Sequence, residues 1–106
     1  MRSRGGMSEL MRQAQRMQRK MDKVRKELEE HEMSAQGAGG KIEVTATCGG
    51  KLRRIEVDEQ FLAEEGIELT LDSVVAAANN ALDAADKHLE SELSKVTGGL
   101  KIPGLT

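Results

Sequence analysis

Arg12, Arg16, Arg19, Lys23 and Lys26 are spaced by four, three, four and three residues, the stepping that lines side chains along one face of an α-helix. The chemistry such a row offers is neutralisation of a polyanion. It spans roughly 20 Å at 1.5 Å per residue, and duplex DNA carries one charge per about 1.7 Å of axis, so the dimensions suit a phosphate backbone. The plainer meaning of a charged helix is a solvated face laced with ion pairs at three- and four-residue spacing. Arg12 has Glu9 in reach, Lys23 has Glu27, Lys26 has Asp22, Glu29 or Glu30, and Arg25 has Asp22 or Glu29. Arg16 and Lys20 have no acid at either spacing and Arg19 has only Asp22, which makes these three the sharpest candidates for an anion.

The element that must carry them is a helix with a narrow apolar seam. Met7, Leu10, Ala14, Met17, Met21, Val24, Leu28 and His31 keep an unbroken a/d register, and the cation row occupies the c and f positions opposite. One face therefore wants a partner helix while the other is positive. Ser8 suits the N-cap, Glu9 suits the positive end of the helix dipole, and the helix runs to about Glu30. Residues 1–6, with two glycines and two arginines, read as a mobile basic arm. Met11, Met17 and Met21 read as adaptable seam filler, because no His or Cys accompanies them as a metal ligand.

A chain of 106 residues with one Phe and neither Trp nor Tyr is one domain with little bulky material for a private core, so oligomerisation is expected. The net charge of -2 hides a strong asymmetry: residues 1–26 hold nine Lys/Arg and two acids, 9 - 2 = +7, and residues 27–106 hold seven and sixteen, 7 - 16 = -9. Such a molecule is dipolar. A single Cys excludes an internal disulfide, no apolar run approaches the roughly 18 residues of a membrane span, and the first residues lack a signal-peptide core. A cytosolic protein is expected.

Downstream, Gly37-Ala38-Gly39-Gly40 is a turn with no lysine-serine ending, so it is not a P-loop. Lys41 to Cys48 alternates, with Ile42, Val44, Ala46 and Cys48 on one face, and Gly49-Gly50 closes a hairpin. On the returning strand, Lys51 to Asp58, Ile55 and Val57 fall on the buried face and Leu52 on the other, where a second subunit could meet it. Arg53 and Arg54 pair most simply with Glu43 or Glu56. Cys48 reads as a small buried hydrophobe. Asp58 to Gly66 carries Phe61 and Leu62 in a helical turn that plugs the sheet. A second long helix opens at Leu71, with Thr70 as its cap and a seam of Leu71, Val75, Ala78, Leu82, Ala85 and Leu89, drifting to Leu93 and Val96, whose alanines permit close helix approach. Lys87 has Asp83 in the favourable position for an ion pair. Gly98-Gly99 stops that helix and Pro103 prevents its resumption, leaving a flexible tail from Leu100 to Thr106.

Gln13-Ala14-Gln15-Arg16-Met17-Gln18-Arg19-Lys20-Met21, the Gly-rich turn and hairpin, Val75-Ala76-Ala77-Ala78-Asn79-Asn80-Ala81 and Gly98-Gly99-Leu100-Lys101-Ile102-Pro103-Gly104 together resemble the YbaB/EbfC family of bacterial nucleoid-associated proteins. The resemblance covers nearly the whole chain in the same order. It implies an α+β fold: a long N-terminal helix, a small three-stranded antiparallel sheet whose first strand lies in Glu32 to Gln36, and a long C-terminal helix. It also implies a tweezer-like homodimer whose projecting helices bind double-stranded DNA with little sequence preference, in the nucleoid of a bacterial cytoplasm. The family often has more basic residues on the second helix and an Asn-Asp pair where this chain has Asn79-Asn80, so DNA contact is expected from the first helix, through Arg12, Arg16, Arg19, Lys20, Lys23 and Lys26. Lys95 and Lys101 are modest additional candidates.

No nucleophile elbow, metal-ligand spacing or apolar carboxylate pair is present, and His31 and His88 are far apart in sequence, so no enzyme, cofactor, metal or small-molecule substrate is expected. The single aromatic leaves no platform for stacking single strands. The competing class is a helix-hairpin-helix scaffold that grips proteins, which would favour longer helices and apolar tips.

Overall fold

In the computed structural model the described residues are 2–98, with side chains from residue 6 onward. The elements are α1 (Arg2–Leu28), β1 (Glu32–Gly37), a single 3-10 turn (Ala38–Gly40), β2 (Ile42–Thr47), β3 (Leu52–Val57), α2 (Glu59–Glu65) and α3 (Ile67–Thr97). The strands form one antiparallel sheet in the order β1-β2-β3. α3 crosses β1 and β2, barely meets β3, and packs its C-terminal half on α1. The result is a rod of 75 × 20 × 17 Å. The expected α+β order of helix, three antiparallel strands and helix is what forms; the tail from Leu100 to Thr106 lies outside the described residues.

Two helix starts differ from expectation. α1 begins at Arg2, so residues 2–6 continue the helix and Ser8 lies inside it. Glycine in a helix costs about 1 kcal/mol but only proline blocks it, and there is no proline before Ser8. α3 begins at Ile67, directly after Gly66 at φ +88°. Thr70 is therefore buried inside the helix, where its hydroxyl donates to the Gly66 carbonyl at 2.7 Å, and caps nothing. α2 is capped as its sequence suggests, with the Asp58 carboxylate accepting from the Phe61 amide at 2.9 Å. Gly98 ends α3 in the left-handed region, its amide donating to the Ser94 carbonyl.

The core is thin. Ile42, Val44 and Ala46 of β2 meet Ala77 and Ala81 of α3, with Ala35, Val57, Phe61, Val74, Ala78 and Leu82 around them. Small residues let the helix sit close to the strands: a Cβ on Gly37 would meet the Ser73 carbonyl at 3.2 Å and the Ala77 methyl at 3.3 Å. The alanines of α3 thus serve approach to the sheet. They also turn its buried face, which is Thr70, Ala77, Ala81, Ala85, Leu93 and Thr97, while Leu71 and Val75 of the expected seam are more than half exposed.

β3 departs from strict alternation. Thr45 pairs with Arg54, but Ala46 pairs with Leu52, so the register shifts between them and Arg53 is the extra residue of a bulge. Leu52 consequently shares a face with Ile55 and Val57 instead of opposing them. That is the face α3 packs on, but α3 lies over β1 and β2 and leaves β3 open, so Leu52 and Ile55 are 48% and 49% exposed. Ile55, expected to be buried, is not.

The β2–β3 turn is pressed against the end of α1: the Gly49 amide donates to the Glu29 carbonyl at 3.1 Å and the Cys48 amide to the His31 carbonyl at 2.9 Å. Cys48 is buried there, as its surroundings suggested, and burial pushes its thiol pKa up. In the folded protein at pH 8, iodoacetamide should alkylate Cys48 at least tenfold more slowly than in denaturant, as read by intact mass.

Candidate nucleic-acid interface

α1 places all six expected cations, Arg12, Arg16, Arg19, Lys20, Lys23 and Lys26, on exposed surface. The reason lies in the seam. Met21 is fully buried against α3, and Met17, Val24 and Leu28 are half-buried beside it. The helical period then turns the c and f positions outward. Towards its N-terminus α1 runs past the end of α3, and there the seam has no cover among the described residues: Met7, Leu10 and Met11 are 64%, 63% and 61% exposed. The expected partner helix is thus α3 for the second half of the seam alone, and the projecting half keeps its apolar strip without that partner.

The cations do not behave alike. Arg12 and Arg16 both reach Glu9, at 3.8 and 3.7 Å; the second spans two helical turns, beyond the three- and four-residue spacings of ordinary helical ion pairs. Lys23 pairs with Glu27 at 3.9 Å. Asp22 is held by Arg25 at 3.6 Å and by the Gln18 amide at 3.2 Å. It does not serve Arg19. Among the described residues, Arg19, Lys20 and Lys26 make no ion pair. Glu9, Arg12, Gln15, Arg16 and Arg19 line one shallow groove on the arm, whereas Lys20, Lys23 and Lys26 lie outside it. Long, solvent-exposed pairs such as Arg16–Glu9 are worth little in water, so an incoming phosphate can displace Glu9 without a large penalty.

The cations of β3 have a different task. Arg54 donates to Glu32 at 3.0 Å and Arg53 pairs with Glu30 and with Glu32 at 3.8 Å. Glu56 is a longer contact of Arg54, at 3.9 Å. The Arg54–Glu32 bridge passes over β2 and helps bury Thr45, whose hydroxyl meets that of Ser34 at 2.8 Å. The hydrogen bond from Arg54, and then the charges of Arg54 and Arg53, hold Glu32 below the ordinary carboxylate value of 4.5. A depressed carboxyl stabilises the fold fully above that value, and its contribution is lost as pH falls through the folded-state pKa. Glu32→Gln should therefore lower Tm at pH 7 and have progressively less effect as pH falls below 4.5, as followed by circular dichroism.

On α3, Lys95 pairs with Glu92 at 3.0 Å, which leaves it a weak candidate, and Lys87 makes no ion pair with Asp83 among the described residues. His31 and His88, far apart in sequence, stack with ring centroids 4.7 Å apart. They clasp the end of α1 to the middle of α3, and no third His, Cys, Asp or Glu joins them as a metal-binding group among the described residues. No described helix is long and apolar enough to cross a membrane.

An exposed basic arm on an α+β body has close counterparts. Residues 4–100 match the model of the YbaB/EbfC DNA-binding family. A nucleoid-associated protein of Clostridium novyi (strain NT) is 40% identical over 103 residues, covering 95% of this chain and 90% of that one. Another, from Acetivibrio thermocellus, is 39% identical over 102 residues at the same coverage. An uncharacterized Helicobacter pylori protein of known crystal structure shares the fold, with a TM-score of 0.69 at 16% identity over 86% of this chain and 96% of that one. Family match, near full-length identity and shared architecture agree, and the chain belongs to the YbaB/EbfC DNA-binding family.

Proposed function

We propose that this protein is a nucleoid-associated, non-enzymatic homodimer that binds double-stranded DNA in the bacterial cytoplasm, through phosphates and with weak sequence preference. The observation that carries the reading is the run from Arg12 to Lys26 on the free face of α1, where Arg19, Lys20 and Lys26 have no ion-pair partner among the described residues. Its family membership and its nucleoid-associated relatives support the same reading. Phosphate contacts position a protein without reading sequence, and α1 is followed by strands instead of a second recognition helix. Phe61 packs against the core and offers no base-stacking platform.

The second copy has a face prepared for it. Leu52 and Ile55 on β3 and Ile67, Leu71 and Val75 on α3 are each about half exposed. Val57 and Phe61 share the core with Val74, Ala78 and Leu82, which puts β3 on the side of α3 that Leu71 and Val75 occupy. Apolar strand and apolar helix stripe form one wall, and an uncovered patch of this kind marks an association site. Two copies joined there carry two arms.

The scaffold reading gains one point from the structure, the apolar strip of Met7, Leu10 and Met11 near the arm tip. Fluorescence anisotropy with a random-sequence duplex at several salt concentrations separates the two. The DNA reading expects a log–log slope near -0.9 per phosphate neutralised and much weaker binding to single strands. Absence of binding at about 50 mM salt, where backbone contacts are strong, overturns it.

A further inference from the structure

The apolar strip of the arm starts where α3 stops. Thr97, buried in the last turn of α3, lines one groove with Met21 of α1. Beyond that point the seam continues through Met17, Ala14, Met11, Leu10 and Met7 with no residue of α3 left to cover it. Gly98 takes the chain out of the helix in the left-handed conformation, and residues 99–106, Gly-Leu-Lys-Ile-Pro-Gly-Leu-Thr, follow. We propose that residues 99–106 dock on the uncovered apolar strip of α1 in the same chain, completing the seam that α3 begins.

Reach and spacing support this occupant. Along α1, Met17 lies about 6 Å from Met21, Met11 about 15 Å and Met7 about 21 Å at 1.5 Å per residue. From Gly98 the chain length allows a reach of about 7 Å at Leu100, about 13 Å at Ile102 and about 23 Å at Leu105 at 3.3 Å per residue. That reach matches the spacing of the seam. A second copy of α1 is the alternative occupant, and the cross-link below distinguishes the two. The strip lies opposite the cation row, so a docked tail stiffens the arm and leaves its phosphate-binding face open; only this last consequence rests on the DNA reading.

The docking is tested without DNA. In a Cys48→Ala background, Met11→Cys and Ile102→Cys are combined in one chain and oxidised at low protein concentration. The expected product is a disulfide within the chain, identified by intact mass and a cross-linked peptide. Oxidation of a mixture of the two single-Cys chains should give less than a tenth as much cross-link. A cross-link mainly between chains, or none, overturns the proposal. As a second readout, Leu100, Ile102 and Leu105 are changed together to Ser in the full-length chain. Amide hydrogen exchange over residues 7–17 should then speed up about tenfold while β2 keeps its protection. Unchanged exchange over 7–17 also overturns it. Neither result depends on whether the protein binds DNA.

Discussion

Changing Arg16, Arg19 and Lys20 together to Gln should weaken binding to a random-sequence duplex by about 100-fold at 0.15 M salt and make the log–log salt slope shallower by about 2.7 for each arm engaged. Both figures follow from three released counterions at about 0.9 each. Affinity and slope must fall together: a drop in affinity with the slope intact assigns these side chains to something other than phosphate. All three are exposed on a helix whose buried seam is untouched, so circular dichroism and Tm should change little. Arg53→Gln with Arg54→Gln is the informative comparison. Those two arginines are engaged by Glu30 and Glu32, and their loss should lower Tm while leaving the salt slope within about half a unit.

Leu71→Asp should turn two chain masses into one in sedimentation velocity, raising the dimer dissociation constant by at least 1000-fold. The substitution puts a carboxylate into an apolar interface with no partner to compensate its desolvation. Leu69→Asp is the control. Leu69 is 46% exposed and Leu71 54%, but two residues apart on a helix they point to nearly opposite sides, so Leu69→Asp should remain dimeric. If both variants remain dimeric, the wall of β3 and α3 is not the interface. Because one arm alone loses the effective concentration supplied by its twin, Leu71→Asp should also weaken DNA binding with Arg16, Arg19 and Lys20 all intact.

How much of this could be read in the chain depended on how sharply each segment's pattern chose between faces. The hairpin was legible because Ile42, Val44 and Ala46 alternate with polar residues and glycines bound the strands; all three are fully buried. The cation row was legible because its seam is narrow and apolar. α3 is legible only in part, Ala85 and Leu93 being buried but Leu71 and Val75 exposed, for the opposite reason. Ala76, Ala77, Ala78, Ala81, Ala84 and Ala85 weigh almost equally on several faces, and the chain uses small residues where the sheet comes close and larger Leu71 and Val75 where a second copy is expected. The displaced face of Leu52 depends on one extra residue, Arg53, which no period-two count can foresee. The Arg16–Glu9 contact lies beyond the spacings normally searched. The His31–His88 stack joins residues 57 positions apart, and nothing local in either surrounding announces the other.

The rod shape and the uneven charge have a kinetic meaning when taken together. Positive charge is concentrated on α1, while from Ile55 to Asp86 there are nine carboxylates and no Lys or Arg. These acidic residues run from β3 through α2 into α3, whose C-terminal half is the part that meets α1. Such a body experiences torque as well as attraction in the potential of a polyanion. At low ionic strength it is turned arm-first before contact, so collisions are productive more often than chance alignment allows. At physiological salt the Debye length of about 8 Å is a small fraction of the 75 Å rod, and this alignment acts only in the last stage of approach.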